Sequence, residues 1–274
     1  MFGRDAVQVM INGRLLPLIG EELIRYLNSI ASSDIKKIEI ISAPPAKYDA
    51  TGNGGLLNII LKKGQINSWK NTTSLSTNFN TYNFTTLNNN LLYNKEKISF
   101  SLSLNKTNGY LRGLEDFQVY YPNSTWDINI NSKDNQEDFA TRLLLDYKVS
   151  NKTTIGIQYL GSIANPDIED KTISNIFNQN NVLDSLLINN GNNLQEIKNH
   201  SINFHSITNI DTIGRTISFD IDYLIYNSGR NHKFKTNSFS SNNIFQNVNA
   251  SANTLSDLNI QNISFKQILN IHYN

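Results

Sequence analysis

From about residue 66 onward, apolar and polar side chains alternate with a period of two over long runs. In 97–105, Ile98, Phe100, Leu102 and Leu104 alternate with Ser99, Ser101, Ser103 and Asn105. In 138–149, Phe139, Thr141, Leu143, Leu145, Tyr147 and Val149 make one face, and Ala140, Arg142, Leu144, Asp146 and Lys148 the other. In 215–226, Ile217, Phe219, Ile221, Tyr223 and Ile225 oppose Ser218, Asp220 and Asp222. Ile155, Ile157 and Tyr159 repeat the pattern briefly, and Leu258 and Ile260 less cleanly. Successive side chains of a strand point to opposite faces, so each run reads as a strand with one apolar face. Helical periodicity is absent here, which commits this part of the chain to antiparallel β structure.

The breaks between runs sharpen the reading. Asn94-Lys95-Glu96, Ser150-Asn151 and Asp211-Thr212 are short and polar, as tight turns are. Between them lie long polar excursions at 107–137, 163–199 and 228–255, which read as loops. Tight turns at one end and long loops at the other are the rhythm of an up-and-down transmembrane barrel. About eight strands are expected, near 66–79, 83–93, 97–106, 138–149, 152–162, 200–209, 213–227 and 256–270. At about 10 to 14 residues they exceed the usual five or six of soluble sheets. The competing architecture is a soluble antiparallel sandwich or barrel with one dry face.

Charge and composition narrow the functions. Lys and Arg number 24 against 23 Asp and Glu, a net charge of +1 that gives no field for nucleic acid or acidic substrates. Charged residues are only 17% of the chain, so its polarity rests on Asn, Ser and Thr. The absence of cysteine removes disulfides, thiol catalysis and Cys-based metal sites. No apolar run approaches the roughly 18 residues of a transmembrane helix, but alternating barrel strands never would. Met1-Phe2-Gly3-Arg4-Asp5 lacks the apolar stretch of a secretory signal.

Residues 1–64 read differently. Residues 7–11 form a strand, and Asn12-Gly13 is a strong hairpin signal. Glu21 to Ile30 reads as a helix, with Leu23, Ile24, Leu27 and Ile30 at helical spacing and two Glu in the first turn. Residues 35–41 and 56–61 follow as strands, giving β-α-β-β.

This segment resembles the C-terminal part of the plug domain of TonB-dependent outer-membrane receptors. The likeness is carried by Val9-Met10-Ile11-Asn12-Gly13-Arg14, the helix, Ile38-Glu39-Ile40-Ile41, Pro45-Ala46-Lys47-Tyr48-Asp49-Ala50, Gly52-Asn53-Gly54-Gly55 and Leu57-Asn58-Ile59-Ile60-Leu61-Lys62-Lys63. The subgroup it is most similar to carries the "outer membrane protein beta-barrel" region. The resemblance covers about residues 5–64 and implies a partial plug at 1–64 followed by a partial outer-membrane barrel at 65–274. It further implies a Gram-negative outer-membrane location, lipid contact, TonB as the energising partner, and uptake of a ferric siderophore, cobalamin or oligosaccharide. Such receptors have about 22 strands around a plug, so about eight make an incomplete wall. The front half of the plug and a TonB box have no counterpart, and Ile271-His272-Tyr273-Asn274 lacks the terminal aromatic typical of a finished barrel. The expectation is therefore a partial chain that does not transport alone. The alternative is a soluble or surface-anchored β-rich binding module.

Other chemistry reads weakly. Gly52-Asn53-Gly54-Gly55 lacks the Lys-Ser/Thr of a phosphate loop and opens a strand, so it reads as a tight turn. His200 and His205 are five apart, which on a strand places them on opposite faces, and His232 and His272 have no ligand spacing. Asp220 and Asp222 share a face and would suit a glycosidase pair, but lumen-facing barrel groups look the same. Trp69, Tyr93, Tyr110, Tyr147 and Tyr226 would suit interfacial girdles. No catalytic, cofactor or metal residue is expected, no enzyme activity, and no nucleic-acid partner; the ligand-binding residues are not readable.

Overall fold

Glycine at position 13 starts the first sheet. Its φ of 81° closes a two-residue turn between β1 (Gln8–Ile11) and β2 (Arg14–Leu15), pairing Ile11 with Arg14 and Met10 with Leu15. The computed structural model describes residues 7–11, 13–16, 23, 24, 27, 30, 32, 35–41, 55–61, 67–211 and 215–270. β3 (Ile35–Ile41) and β4 (Leu56–Leu61) complete a four-stranded sheet of order β2-β1-β4-β3. β4 runs parallel to β1 and antiparallel to β3. Leu23, Ile24 and Leu27 are helical, as their spacing predicts. Leu23, Leu27 and Ile30 pack on a core of Val9, Ile11, Leu16, Ile59 and Leu61. Burying each such side chain is worth roughly 1.5–3 kcal/mol. The Pro44-Pro45 break and the turn residues Gly52 to Gly54 lie outside the described residues.

The second sheet is far larger. Its strands are β5 (Ser68–Phe79), β6 (Asn83–Lys95), β7 (Ile98–Tyr121), β8 (Ser124–Lys148), β9 (Thr153–Ala164), β10 (Asp167–Asn178), β11 (Leu183–Asn209), β12 (Thr216–Ser240) and β13 (Phe245–Asn270). All pair antiparallel. β9 and β10 occupy one place in the sheet, both lying between β8 and β11. β9 pairs residues 138–148 and 197–208 of those strands, β10 residues 124–135 and 183–194. The split falls at Asn165-Pro166, where the buried proline has no N–H to give the ladder. The wall therefore has eight places, the number the alternation predicts. Among the described residues β5 and β13 each have one partner, so both edges are open.

The excursions at 107–137, 163–199 and 228–255 are not loops. They are the upper lengths of β7, β8, β10, β11, β12 and β13, paired residue by residue up to short reversals at 122–123, 179–182 and 241–244. At about 3.3 Å per residue, the 27 residues of β11 reach roughly 90 Å. Asn181 (φ 57°) and Asn243 (φ 60°) take the left-handed conformation in two of the reversals, which Asn tolerates better than most residues. The expected breaks at 94–96 and 150–151 do reverse the chain, at the opposite end; at the third, Ile210 N–H donates to the Arg215 carbonyl at 2.9 Å, with Thr212 outside the described residues.

Candidate functional site

Leu160 fixes which face of the large sheet is the inner one. It is 9% exposed and joins the core of the small sheet, so its face of β9 is turned toward that sheet. Register carries this facing across the wall: Leu160 opposes Arg142 on β8 and Ser201 on β11, and those oppose Ser103 on β7 and Leu224 on β12. The inner face is mainly polar, with Ser101, Asn105, Gln158, Asn199, Asn203 and His205 all buried.

The outer face divides into two. Near the short turns it is apolar, with Ile98–Leu104 on β7, Phe139–Tyr147 on β8, Ile155–Ile163 on β9 and Ile217–Ile225 on β12 alternating outward. Phe139, Leu145, Tyr147, Ile157, Phe204, Phe219 and Phe265 are among its exposed side chains, Phe265 at 72%. Above it the same face turns polar at Lys106, Glu137, Lys198 and Asn227. Lys106 pairs with Glu137 at 3.4 Å, and Lys198 with Glu196. Trp69, Tyr93 and Tyr147 stand outward near the turn end, where a girdle would lie. Tyr110 stands outward above the band, its ring 4.3 Å from Lys133 Nζ and 6.3 Å from the Tyr82 ring. Tyr226 instead opposes Asn199 on the inner face.

On the inner wall, Asp146, Gly156 and His205 stand side by side on β8, β9 and β11. Glycine has no side chain to separate its neighbours, and His205 Nε2 meets Asp146 Oδ1 at 2.8 Å above it. A Cβ at Gly156 would lie 2.3 Å from Asp146 Oδ1 and 2.4 Å from His205 Nε2. His205 Nδ1 faces Asn203 Oδ1 at 3.0 Å. Asn203 Nδ2 then donates to Asp222 at 2.7 Å and Asp220 at 3.4 Å. The two carboxylates thus converge on one amide as part of a cross-strand network. Arg142 donates to Ser101 at 3.1 Å in the next rows. His200 lies on the outer face, stacked on Tyr159 and bonded to its hydroxyl at 2.7 Å, so the two histidines are on opposite faces as their spacing predicts. Among the described residues no cluster of three His, Cys, Asp or Glu stands together.

In the small sheet, buried Asn58 accepts the Gly13 N–H at 2.8 Å and donates to Glu39 at 2.8 Å. The hydrogen bond from Lys37, with that from Asn58, holds the Glu39 carboxyl below the usual carboxylate range.

Between the small sheet's helical segment and the wall lies a cavity of about 550 Å³, lined by Leu27, Ile30 and Ser32 on one side. Across from them stand Ser76, Asn78, Asn88, Asn105, Gln136, Ser162 and Asn199 of the inner wall. Thr86 and Thr107, also in the lining, bond each other at 3.0 Å. Sequence reasoning missed this site because it is made by juxtaposition: its amides lie on five different strands, with no local spacing. The inward phase of each strand was the available signal.

No family model matches the chain, and no curated protein does. Among solved structures, it is similar to the siderophore receptor PiuA from Acinetobacter baumannii, with a TM-score of 0.28 and 9% identity. That match covers 96% of this chain and 56% of the receptor, so the chain spans little more than half of that receptor's length.

Proposed function

We propose that the chain is part of a TonB-dependent outer-membrane receptor: residues 1–64 a partial plug, residues 65–274 a partial barrel wall crossing the outer membrane. The observation that carries this reading is the outward apolar band. It is nine residues tall on β8, β9 and β12, and a tilted transmembrane strand needs about 9–11. It is bounded by the charged rim of Lys106, Glu137 and Lys198, while the inner face stays polar, the arrangement of an outer-membrane wall. A soluble sheet buries its apolar face, whereas here that face is exposed and the polar one is covered. The order of plug-like motifs in residues 5–64 supports the receptor family in particular.

The open edges at β5 and β13 bear on how the chain works. A sheet in lipid must close, since unpaired backbone groups cost several kcal/mol each there. The chain then acts as one arc of a larger barrel, non-catalytic, with TonB pulling on the complete receptor and a nutrient as cargo. The alternative, a soluble or surface-anchored binding module, requires the apolar band to be wet. The experiment is to express the chain in a Gram-negative host and assay its state with and without detergent. Aggregation in water relieved by detergent, with recovery in the outer-membrane fraction, supports the reading; a folded monomer in plain buffer refutes it.

A further inference from the structure

β7 loses one neighbour halfway along its length. β6 pairs it only from Ile98 to Gly109, whereas β8 pairs it as far as Tyr121. Gly109 has a φ of 137°, and a Cβ there would lie 2.4 Å from both Asn83 O and Phe84 Cα, so β6 joins β7 at a point that requires glycine. The β5–β6 hairpin reverses just above, at 80–82, and is pinned to the wall. Arg112 donates to Thr81 Oγ1 at 3.3 Å, and Lys133 Nζ lies 5.4 Å from the Tyr82 ring. Above this floor, the place beside residues 111–121 holds no strand among the described residues. Elsewhere the wall fills such a place twice, with β9 below and β10 above between β8 and β11.

The backbone of the edge is aimed into the open place. Lys148 N–H donates to the Lys97 carbonyl at 2.8 Å, so odd-numbered residues of β7 exchange their bonds with β8, and the register holds without a shift to Tyr121. Arg112, Leu114, Asp116, Gln118 and Tyr120 therefore turn their N–H and C=O groups the other way, where a further strand would continue the ladder. Large apolar side chains flank the place on both faces. Leu114 and Tyr120 stand outside, 59% and 75% exposed, and Leu111, Phe117 and Tyr121 stand inside, also exposed. Such side chains are the cross-strand contacts that give strand addition its specificity. Arg112 is already engaged by Asn131 and Thr81, which leaves Glu115 and Asp116 to make the centre of the edge acidic.

We propose that the upper edge of β7 docks an extended segment of a partner protein, added as an antiparallel strand above β6. The segment carries Lys or Arg opposite Glu115 and Asp116, with apolar residues on either side. A second copy in the same membrane does not fit, because its open strand, β7 or β13, would continue downward through the place that β6 fills. The proposal goes beyond the receptor reading and does not rest on it.

The test is fluorescence anisotropy with the full chain, folded in detergent or in buffer. The probe is the labelled peptide TVVTIKKVFE, whose two lysines fall opposite Asp116 and Glu115 in the antiparallel register. The comparisons are the same peptide with alternate backbone nitrogens methylated, and the charge-reversed TVVTIEEVFE. The expected result is saturable binding of the first peptide and roughly tenfold or greater weakening for the other two. Leu114→Pro removes a donor on the open side and spares every bond to β8, so it should keep its β-sheet circular dichroism yet weaken binding about tenfold. No binding, equal binding of the methylated peptide, or indifference to Leu114→Pro overturns the proposal. If Leu114→Pro loses its circular dichroism, Glu115→Lys decides: unchanged preference for the lysine peptide overturns it. Dimers that Leu114→Pro dissociates would assign the edge to a second copy and overturn it as well. A chain that folds without detergent and binds the peptide at this edge upholds the site while refuting the receptor reading.

Discussion

The same strands carry two kinds of outer face, and only the side chains register the change. β12 runs unbroken from Thr216 to Ser240, paired to β11 throughout. In its first half the outward positions are Ile217, Phe219, Ile221, Tyr223 and Ile225; in its second they are Asn227, Gly229, Asn231, Lys233 and Lys235. β7 and β8 make the same transition at Lys106 and Glu137. Backbone pairing is indifferent to what lies beyond the sheet, whereas side-chain polarity is set by it. The boundary between the halves is therefore a change of side-chain polarity, not of fold, and on the proposed reading it is where the solvent changes.

The largest effect that would sharpen this contrast is at glycine. Gly156→Val, in the lower half, forces Asp146 and His205 apart, combining overpacking with loss of a charge-assisted hydrogen bond; about 4 kcal/mol of stability should be lost. Gly229→Ala, in the upper half, meets only Asp257 Oδ1 at 3.3 Å and should stay near wild type. Denaturant midpoints in detergent compare the two directly, and equal losses would break the distinction. Charge placement comes next. Phe219→Arg on the outer apolar band should cost roughly 2–4 kcal/mol in a bilayer, whereas Ser218→Arg on the inner face and Asn253→Arg above the rim should be tolerated. Equal costs at 218 and 219 would mean the facing is wrong.

How much of this was legible beforehand follows from the same contrast. The lower half was readable because one face is apolar and the other polar, so alternation marks every strand and phases it. The facing of Asp220, Asp222, Arg142 and the two histidines came out right for that reason. The upper half, with mainly polar side chains on both faces, keeps the ladder but loses the alternation, and so 107–137, 163–199 and 228–255 read as loops. Their reversals did leave marks, in Pro122-Asn123, Asn180-Asn181 and Asn242-Asn243, which are turn residues with a mechanism. Tyr226 read as an interfacial aromatic because its type was weighed without its phase. The cavity and the Asp146–His205 contact depend on registers between strands far apart in sequence, which no single run of residues encodes.

Two smaller effects probe the small sheet. Asn58→Leu removes the acceptor for Gly13 N–H and the donor to Glu39, leaving a part-buried turn amide unpaired; a loss of about 1–2 kcal/mol is expected. Chemical unfolding followed by Trp69, on the first wall strand, should change less than unfolding reported from the small sheet itself. The smallest effect is in pH. Because the folded Glu39 carboxyl titrates below its ordinary value, its contribution is present above the carboxylate range and disappears as pH falls through the lowered value. Glu39→Gln should therefore be less stable than wild type at neutral pH and converge with it in acid, read from paired unfolding midpoints.

The central claim is that the lower outer face of the wall meets lipid. The chain has no cysteine, so single cysteines at 218, 219, 220, 221, 233 and 235 of β12 can each carry a polarity-sensitive fluorophore in vesicles. The account predicts quenching by a lipid-soluble nitroxide at 219 and 221, little at 218 and 220, and none at 233 and 235. Uniform exposure of all six positions to an aqueous quencher, with no lipid quenching at 219 or 221, would contradict it.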